Sequence, residues 1–284
     1  MKLSFQNLVV SSLFLLLFVP ALASAHQPRV VESNVVNVVD PEVSKAYYGE
    51  LKGESHLYNI VSDKAFELYV GILVPDRAGQ NKDISAVVFE TGKENTPVAV
   101  LDGMTFAWTP MYEMFGADNY FAGPEFKKQM PAGSYQIRVS SPNNTGRYSL
   151  AVGEIESFPL GEIVNTLKVV PQLKHDFFAS SPYTFLKSPF GVAYVLMMFL
   201  FAFVFGFLYR LILKKMAKNT NRQLKRNIGK NDKLVRQLLG VALLLVGTYT
   251  WSPVMLFFAG FCFFEAIFSW CGFYAALGKN TCPL

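Results

Sequence analysis

Phe190-Gly191-Val192-Ala193-Tyr194-Val195-Leu196-Met197-Met198-Phe199-Leu200-Phe201-Ala202-Phe203-Val204-Phe205-Gly206-Phe207-Leu208-Tyr209 runs for 20 residues without a charge, and Arg210, Lys214 and Lys215 follow at once. At about 1.5 Å per residue, a helix of this length covers the ~30 Å hydrocarbon core of a bilayer. The three basic side chains can snorkel to the headgroups and hold that end in the cytoplasm. Further along, 234–251 and 254–274 form two more apolar runs, separated by Ser252-Pro253 alone. So short a break predicts an antiparallel helical hairpin. Pro253 suits the first turn of its second helix, where the missing N–H costs nothing.

Charge is divided sharply along the chain. The net +5 at pH 7 conceals a segment, 26–188, with 14 Lys+Arg against 19 Asp+Glu. Between 210 and 236 stand ten basic residues against Asp232 alone, a local +9. One basic loop between apolar runs is a topology signal and speaks against nucleic acid as a partner. The chain is 51% hydrophobic and only 17% charged, whereas soluble chains average about 25% charged. This composition argues against a soluble enzyme and strongly against disorder. Three Cys are too few for a disulfide framework.

The N-terminus has the layout of a secretory signal: Lys2, an apolar stretch over 8–19, Pro20, and small residues Ala23-Ser24-Ala25. A cleaved signal puts the acidic segment outside and the basic loop inside, which agrees with the charge bias. The expected order is signal peptide 1–25, extracytoplasmic β-sandwich 26–155, juxtamembrane helical linker 156–188, first span 189–213, basic cytoplasmic loop 214–233, second span 234–251, third span 253–275 and cytoplasmic tail 276–284.

The sandwich is read from alternation. Phe66, Leu68, Val70, Ile72 and Val74 share one face, as do Tyr135, Ile137 and Val139, then Tyr148, Leu150 and Val152. Strands are expected at 30–39, 46–52, 56–61, 66–75, 84–90, 97–101, 134–140 and 146–153, which makes a two-sheet sandwich. Residues 106–126 break the alternation and predict a long aromatic loop. Trp108, Tyr112, Phe115 and Tyr120 either form a ligand surface or fill the sandwich edge. In the linker, Ile163, Leu167, Val170, Leu173 and Phe177 recur at helical spacing, and Pro171 predicts a break into two short helices. That amphipathic piece rests on the membrane surface or packs on the sandwich.

Two resemblances attach to particular residues. Pro131-Ala132-Gly133-Ser134-Tyr135-Gln136-Ile137-Arg138-Val139 and Gly146-Arg147-Tyr148-Ser149-Leu150-Ala151-Val152, with Tyr48-Gly49-Glu50-Leu51 and 56–60 before them, resemble bacterial pre-peptidase C-terminal-type sandwiches over residues 46–153. That resemblance implies an accessory binding or spacer module. Asn227, Asp232 and Arg236, then Cys271, Tyr274, Gly278, Thr281 and Cys282, follow a pattern similar to the YgaP-like transmembrane domain, a bacterial two-helix domain of unknown function, over residues 227–282. Lys233 stands where that pattern prefers Arg, and Gly272 where it prefers Pro. The resemblance implies a bacterial inner (plasma) membrane protein.

Within the hairpin, Gly240 and Gly247 lie seven apart on one helix face and predict close helix packing. Cys262, Glu265 and Ser269 form a polar stripe, with Glu265 expected near mid-bilayer. A carboxylate there must be protonated or paired. It serves either a proton or ion pathway or a hydrogen bond across a helix or homodimer contact. Cys271 and Cys282 are expected to be thiols in a reducing cytoplasm. The three His are scattered, and neither a catalytic residue, a metal site nor a cofactor is expected. The favoured reading is a non-enzymatic, membrane-tethered binding or structural module with an unknown extracytoplasmic ligand or protein partner. The alternatives are a small transporter or channel component using Glu265, and a thiol- or persulfide-handling protein using Cys271 and Cys282.

Overall fold

The computed structural model describes residues 26–218 and 226–282. The expected signal peptide and residues 219–225 of the basic loop lie outside the described residues. The chain divides into two compact units that meet in sequence at Ser180/Ser181.

The first unit begins with eleven strands: β1 (Gln27–Val30), β2 (Val35–Val38), β3 (Lys45–Lys52), β4 (His56–Ser62), β5 (Phe66–Pro75), β6 (Ser85–Glu90), β7 (Ala99–Leu101), β8 (Thr109–Glu113), β9 (Asp118–Met130), β10 (Gly133–Ser140) and β11 (Thr145–Val152). They form a six-stranded sheet ordered β1-β3-β11-β5-β9-β8 and a five-stranded sheet ordered β2-β4-β10-β6-β7. β1–β3 and β2–β4 pair in parallel; the other pairs are antiparallel. The alternating residues do what their period requires. Leu68, Val70, Ile72 and Val74 from one sheet share a single buried core with Tyr58, Ile60, Ile137 and Val139 from the other.

Two expectations change here. The strand expected at 30–39 is two strands in different sheets: the bend at Ser33-Asn34 carries the chain from the β3 edge to the β4 edge. The aromatic stretch 106–126 is no long loop. It supplies β8 and the first half of β9, paired from Thr109↔Ala122 to Glu113↔Asp118. β9 tolerates Pro124 because the β5–β9 register slips between Gly71 and Leu73, so that Gly123 and Pro124 face Ile72 alone. A bulge is where a strand can hold a residue without a ladder N–H.

A helix, α1 (Leu160–Asp176), completes the unit. Pro171 does not break it, although proline removes one helical hydrogen bond. Contacts on either side of Pro171 hold the helix to the sheets. Arg29 grips Glu162 through two 2.8 Å bonds. Lys174, wholly buried, pairs with Asp118 at 2.7 Å and donates to the Gly116 carbonyl. Leu173 and Phe177 pack with Tyr120. Of the two placements open to this amphipathic piece, the face carrying Val170, Leu173 and Phe177 packs on the sandwich; Leu160 and Val164 remain exposed.

The second unit holds a 3-10 turn (Pro182–Lys187), then α2 (Pro189–Lys218), α3 (Lys230–Thr250), α4 (Pro253–Phe268) and α5 (Gly272–Leu277). Pro189–Met216 and Lys230–Thr250 are long and apolar enough to cross a membrane, and α4 is a shorter apolar helix of 16 residues. α4 stops well before the expected 275 because Ser269 takes a left-handed conformation, φ 50°. Trp251, φ 52°, ends α3 in the same way. The buried Trp251 indole donates to the Pro182 carbonyl at 3.1 Å.

Candidate functional site

The family-like residues meet where α3 begins and α4 ends. Asn227 is their hub. Its side-chain oxygen accepts from the Cys271 N–H at 2.7 Å, and its side-chain nitrogen donates to the Cys271 carbonyl at 2.9 Å. Its own N–H donates to the Ser269 carbonyl, and its carbonyl accepts from the Thr281 N–H. Gly229 approaches the same strand of chain so closely that a Cβ would lie 2.2 Å from the Thr281 carbonyl oxygen. The Thr281 hydroxyl accepts from the Gly229 N–H and donates to Asp232. Gly278 closes α5 with φ +69°. Cys271 is buried and Cys282 half-buried.

Beside this closure, Arg236 donates to Glu265 at 2.8 Å, and both side chains are largely buried. Arg236 also lies 5.0 Å over the Tyr274 ring, with Lys279 at 4.8 Å from the same ring. Glu265 thus sits in the last turn of α4, at the end where the basic residues gather, and not at mid-helix. One partner, Arg236, belongs to the same chain; the other carboxylate oxygen, Oε1, is buried with no hydrogen-bond partner among the described residues. The polar stripe also divides: Cys262 and Glu265 are helical, whereas Ser269 is the left-handed residue that ends the helix. Sequence reasoning did not pair Arg236 with Glu265. The signal was present in the hairpin count, since Arg236 lies fifteen residues before Trp251 and Glu265 thirteen after Ser252.

Gly240 and Gly247 face α4. A Cβ on Gly240 would stand 3.3 Å from the Cys262 Cβ, and one on Gly247 3.0 Å from Leu256. Gly206 and Gly260, which sequence reasoning passed over, do the same between α2 and α4, against Phe264 and Phe199/Ala202.

In the first unit the four aromatic residues expected to form a ligand surface go to different places. Trp108 donates to the Gly103 carbonyl at 2.7 Å and packs on the core. Tyr120 is buried and meets the Tyr48 hydroxyl at 3.1 Å. Phe115 lies near Phe158, and Tyr112 is exposed. None lines either of two cavities in this unit. The smaller, about 290 Å³, is bordered by Tyr48, Gly49, Glu50, His56, Arg147 and Asp176. A buried chain runs from it: His56 Nδ1 meets the Tyr148 hydroxyl at 2.6 Å, which meets the Tyr58 hydroxyl at 2.7 Å. Burial pushes the His56 pKa down and those of Tyr58 and Tyr148 up. The larger, about 660 Å³, is bordered by Arg29, Lys45, Tyr47 and Glu162. The Arg147–Glu50 pair, 3.1 Å, lies on the smaller cavity and the Arg29–Glu162 pair on the larger. Among the described residues, no group of three or more His, Cys, Asp or Glu is placed to hold a metal ion.

Residues 224–284 match the family model described as the transmembrane domain of inner membrane protein YgaP-like. No curated protein matches the chain. Among solved structures, the pre-peptidase C-terminal domain of a collagenase from Bacillus anthracis is 13% identical, covering 45% of this chain and 95% of that one at a TM-score of 0.26. CorA, a surface-associated copper-binding protein of Methylomicrobium album BG8, is 9% identical, covering 45% of this chain and 100% of that one at a TM-score of 0.23. Both likenesses are weak and partial. The chain therefore carries a YgaP-like membrane domain of unknown function after a two-sheet domain, and it is membrane-associated.

Proposed function

We propose that this chain is a non-enzymatic membrane module: a β-sandwich held outside the cytoplasm by three spans, with the basic loop and the C-terminus inside. The observation that carries this reading is how the motif residues are engaged. Asn227, Asp232, Arg236, Gly278 and Thr281 all take part in closing or capping the hairpin, which is what a structural domain asks of its polar groups. The short α4 covers about 24 Å at the helical rise, and the half-buried aromatic side chains of Tyr209 and Tyr274 near its end suit a membrane interface. The transporter alternative has less support, since Glu265 is already held by Arg236. So has the thiol alternative, since Cys271 is 2% exposed.

Topology tests the arrangement. Reporter domains fused after Ala179 and after Lys225 in the full-length precursor are expected to report outside and inside respectively. A second fusion that reads outside refutes the three-span order.

A further inference from the structure

We propose that the basic end of the helical unit is a binding surface for anionic phospholipid headgroups. The inference rests on the reading that α2 and α3 cross the bilayer.

Contacts place several basic groups at one end of this unit. Arg210 lies 5.7 Å over the Trp270 ring, Arg236 pairs with Glu265, and Lys279 lies over Tyr274. The end of α2, the start of α3 and the chain from 265 to 281 therefore converge. Lys214 and Lys215 follow Arg210 by about one turn, and Arg226, Lys230 and Lys233 open the path into α3. Lys214, Lys215, Arg226 and Lys230 are exposed and Lys233 is half-buried. Among the described residues none of these five has an ion-pair partner. Of the two acids nearby, Glu265 is paired with Arg236, and Asp232, which accepts from the Thr281 hydroxyl, offers one negative charge against five cations. The described residues therefore leave most of this positive charge without a counter-charge.

The apolar neighbours decide which anion supplies it. Leu211, Ile212, Met216, Leu234 and Val235 are each more than half exposed and alternate in sequence with the basic residues. A free phosphate, a nucleic acid or an acidic protein in water would leave these side chains wet. A phospholipid meets both needs, with acyl chains on the leucines and valine and its phosphate on the lysines. A zwitterionic lipid satisfies the apolar half alone, so the surface should discriminate by headgroup charge.

The test uses the full-length protein in a neutral detergent and follows thermal unfolding with added phosphatidylglycerol, phosphatidylcholine or inorganic phosphate. Phosphatidylglycerol is expected to raise the midpoint more than phosphatidylcholine does, with phosphate nearly inert. That difference should shrink as salt is raised, because exposed charges are screened. Lys214→Gln, Lys215→Gln, Lys230→Gln and Lys233→Gln should each weaken apparent phosphatidylglycerol affinity by about fivefold, leaving the phosphatidylcholine response unchanged. Equal responses to the two lipids, a phosphate response as large as the lipid one, or single variants that keep the full preference overturn the proposal. Should a variant fail to fold, the salt dependence of the wild-type preference decides instead. Extraction of membranes at alkaline pH separates this outcome from failure of the spanning reading. A chain released by alkali refutes the spans. A chain that stays embedded but shows no headgroup preference refutes only the lipid surface.

Discussion

Replacing Lys174 by Met should destabilise the first unit more than any surface change, and should do so in a pH-dependent way. Lys174 is 0% exposed, lies 2.7 Å from Asp118, and donates to the Gly116 and Ala117 carbonyls. Removing it leaves Asp118, itself 8% exposed, as an unpaired buried carboxylate. Such a change costs about 3–5 kcal/mol, whereas replacing both partners with apolar groups is often near neutral. Lys174→Met with Asp118→Leu should therefore be more stable than Lys174→Met alone, with a coupling of about 2 kcal/mol or more. Residues 26–180, with α1 retained, are the fragment to measure by urea denaturation. Burial raises the folded-state pKa of Asp118, and Lys174 opposes that shift. A raised carboxyl pKa means that protonation favours the fold, so the destabilisation it causes fades as pH falls through the folded value toward the ordinary one. The deficit of Lys174→Met is thus largest at neutral pH and shrinks on acidification. Additive single effects, or a deficit that grows as pH falls, would refute the reasoning.

The helical unit yields two further expectations. Glu265→Leu should lower stability in detergent by about 3 kcal/mol because it strands Arg236, and Arg236→Met in the same chain should restore most of the loss; simple additivity in thermal melts would argue that the pair is not coupled. Gly272→Ala should cost about 1–3 kcal/mol by overpacking, since its Cβ would stand 2.0 Å from the Tyr209 ring. In a Tyr209→Leu background that penalty should largely vanish, and an unchanged penalty there would mean that something else excludes the side chain.

The strands were legible wherever alternation was clean. The expected 66–75 matches β5, and 134–140 and 146–153 lie within a residue of β10 and β11. β8 and β9 were not legible, because Pro110 in β8, and Pro124 with the bulge in β9, obscure the pattern that identifies a strand. The unbroken α1 was hidden for a related reason: local propensity at Pro171 argues for a break, and the opposing forces come from Asp118 and Arg29, distant in sequence. At the site, apolar runs revealed the hairpin, but residue identity alone could not set the depth of Glu265. That depth depends on Ser269 leaving the helix, and serine carries no strong signal for a left-handed backbone.

The setting of Gly272 is explained by the helix that precedes the matched region. The family match covers 224–284, so α2 lies outside it. Yet Tyr209 of α2 occupies the space that a side chain at 272 would need. Its ring also lies 6.0 Å from Trp270, and Arg210 lies 5.7 Å from the same indole. Gly206 and Gly260 bring α2 and α4 together further along the same contact. A proline suits the first position of α5 on helix grounds, but here it would collide with Tyr209. Glycine at 272 leaves the room that Tyr209 of α2 occupies. Contacts of α2 with α4 and with the chain at 270–272 therefore pack α2, α3 and α4 into one unit.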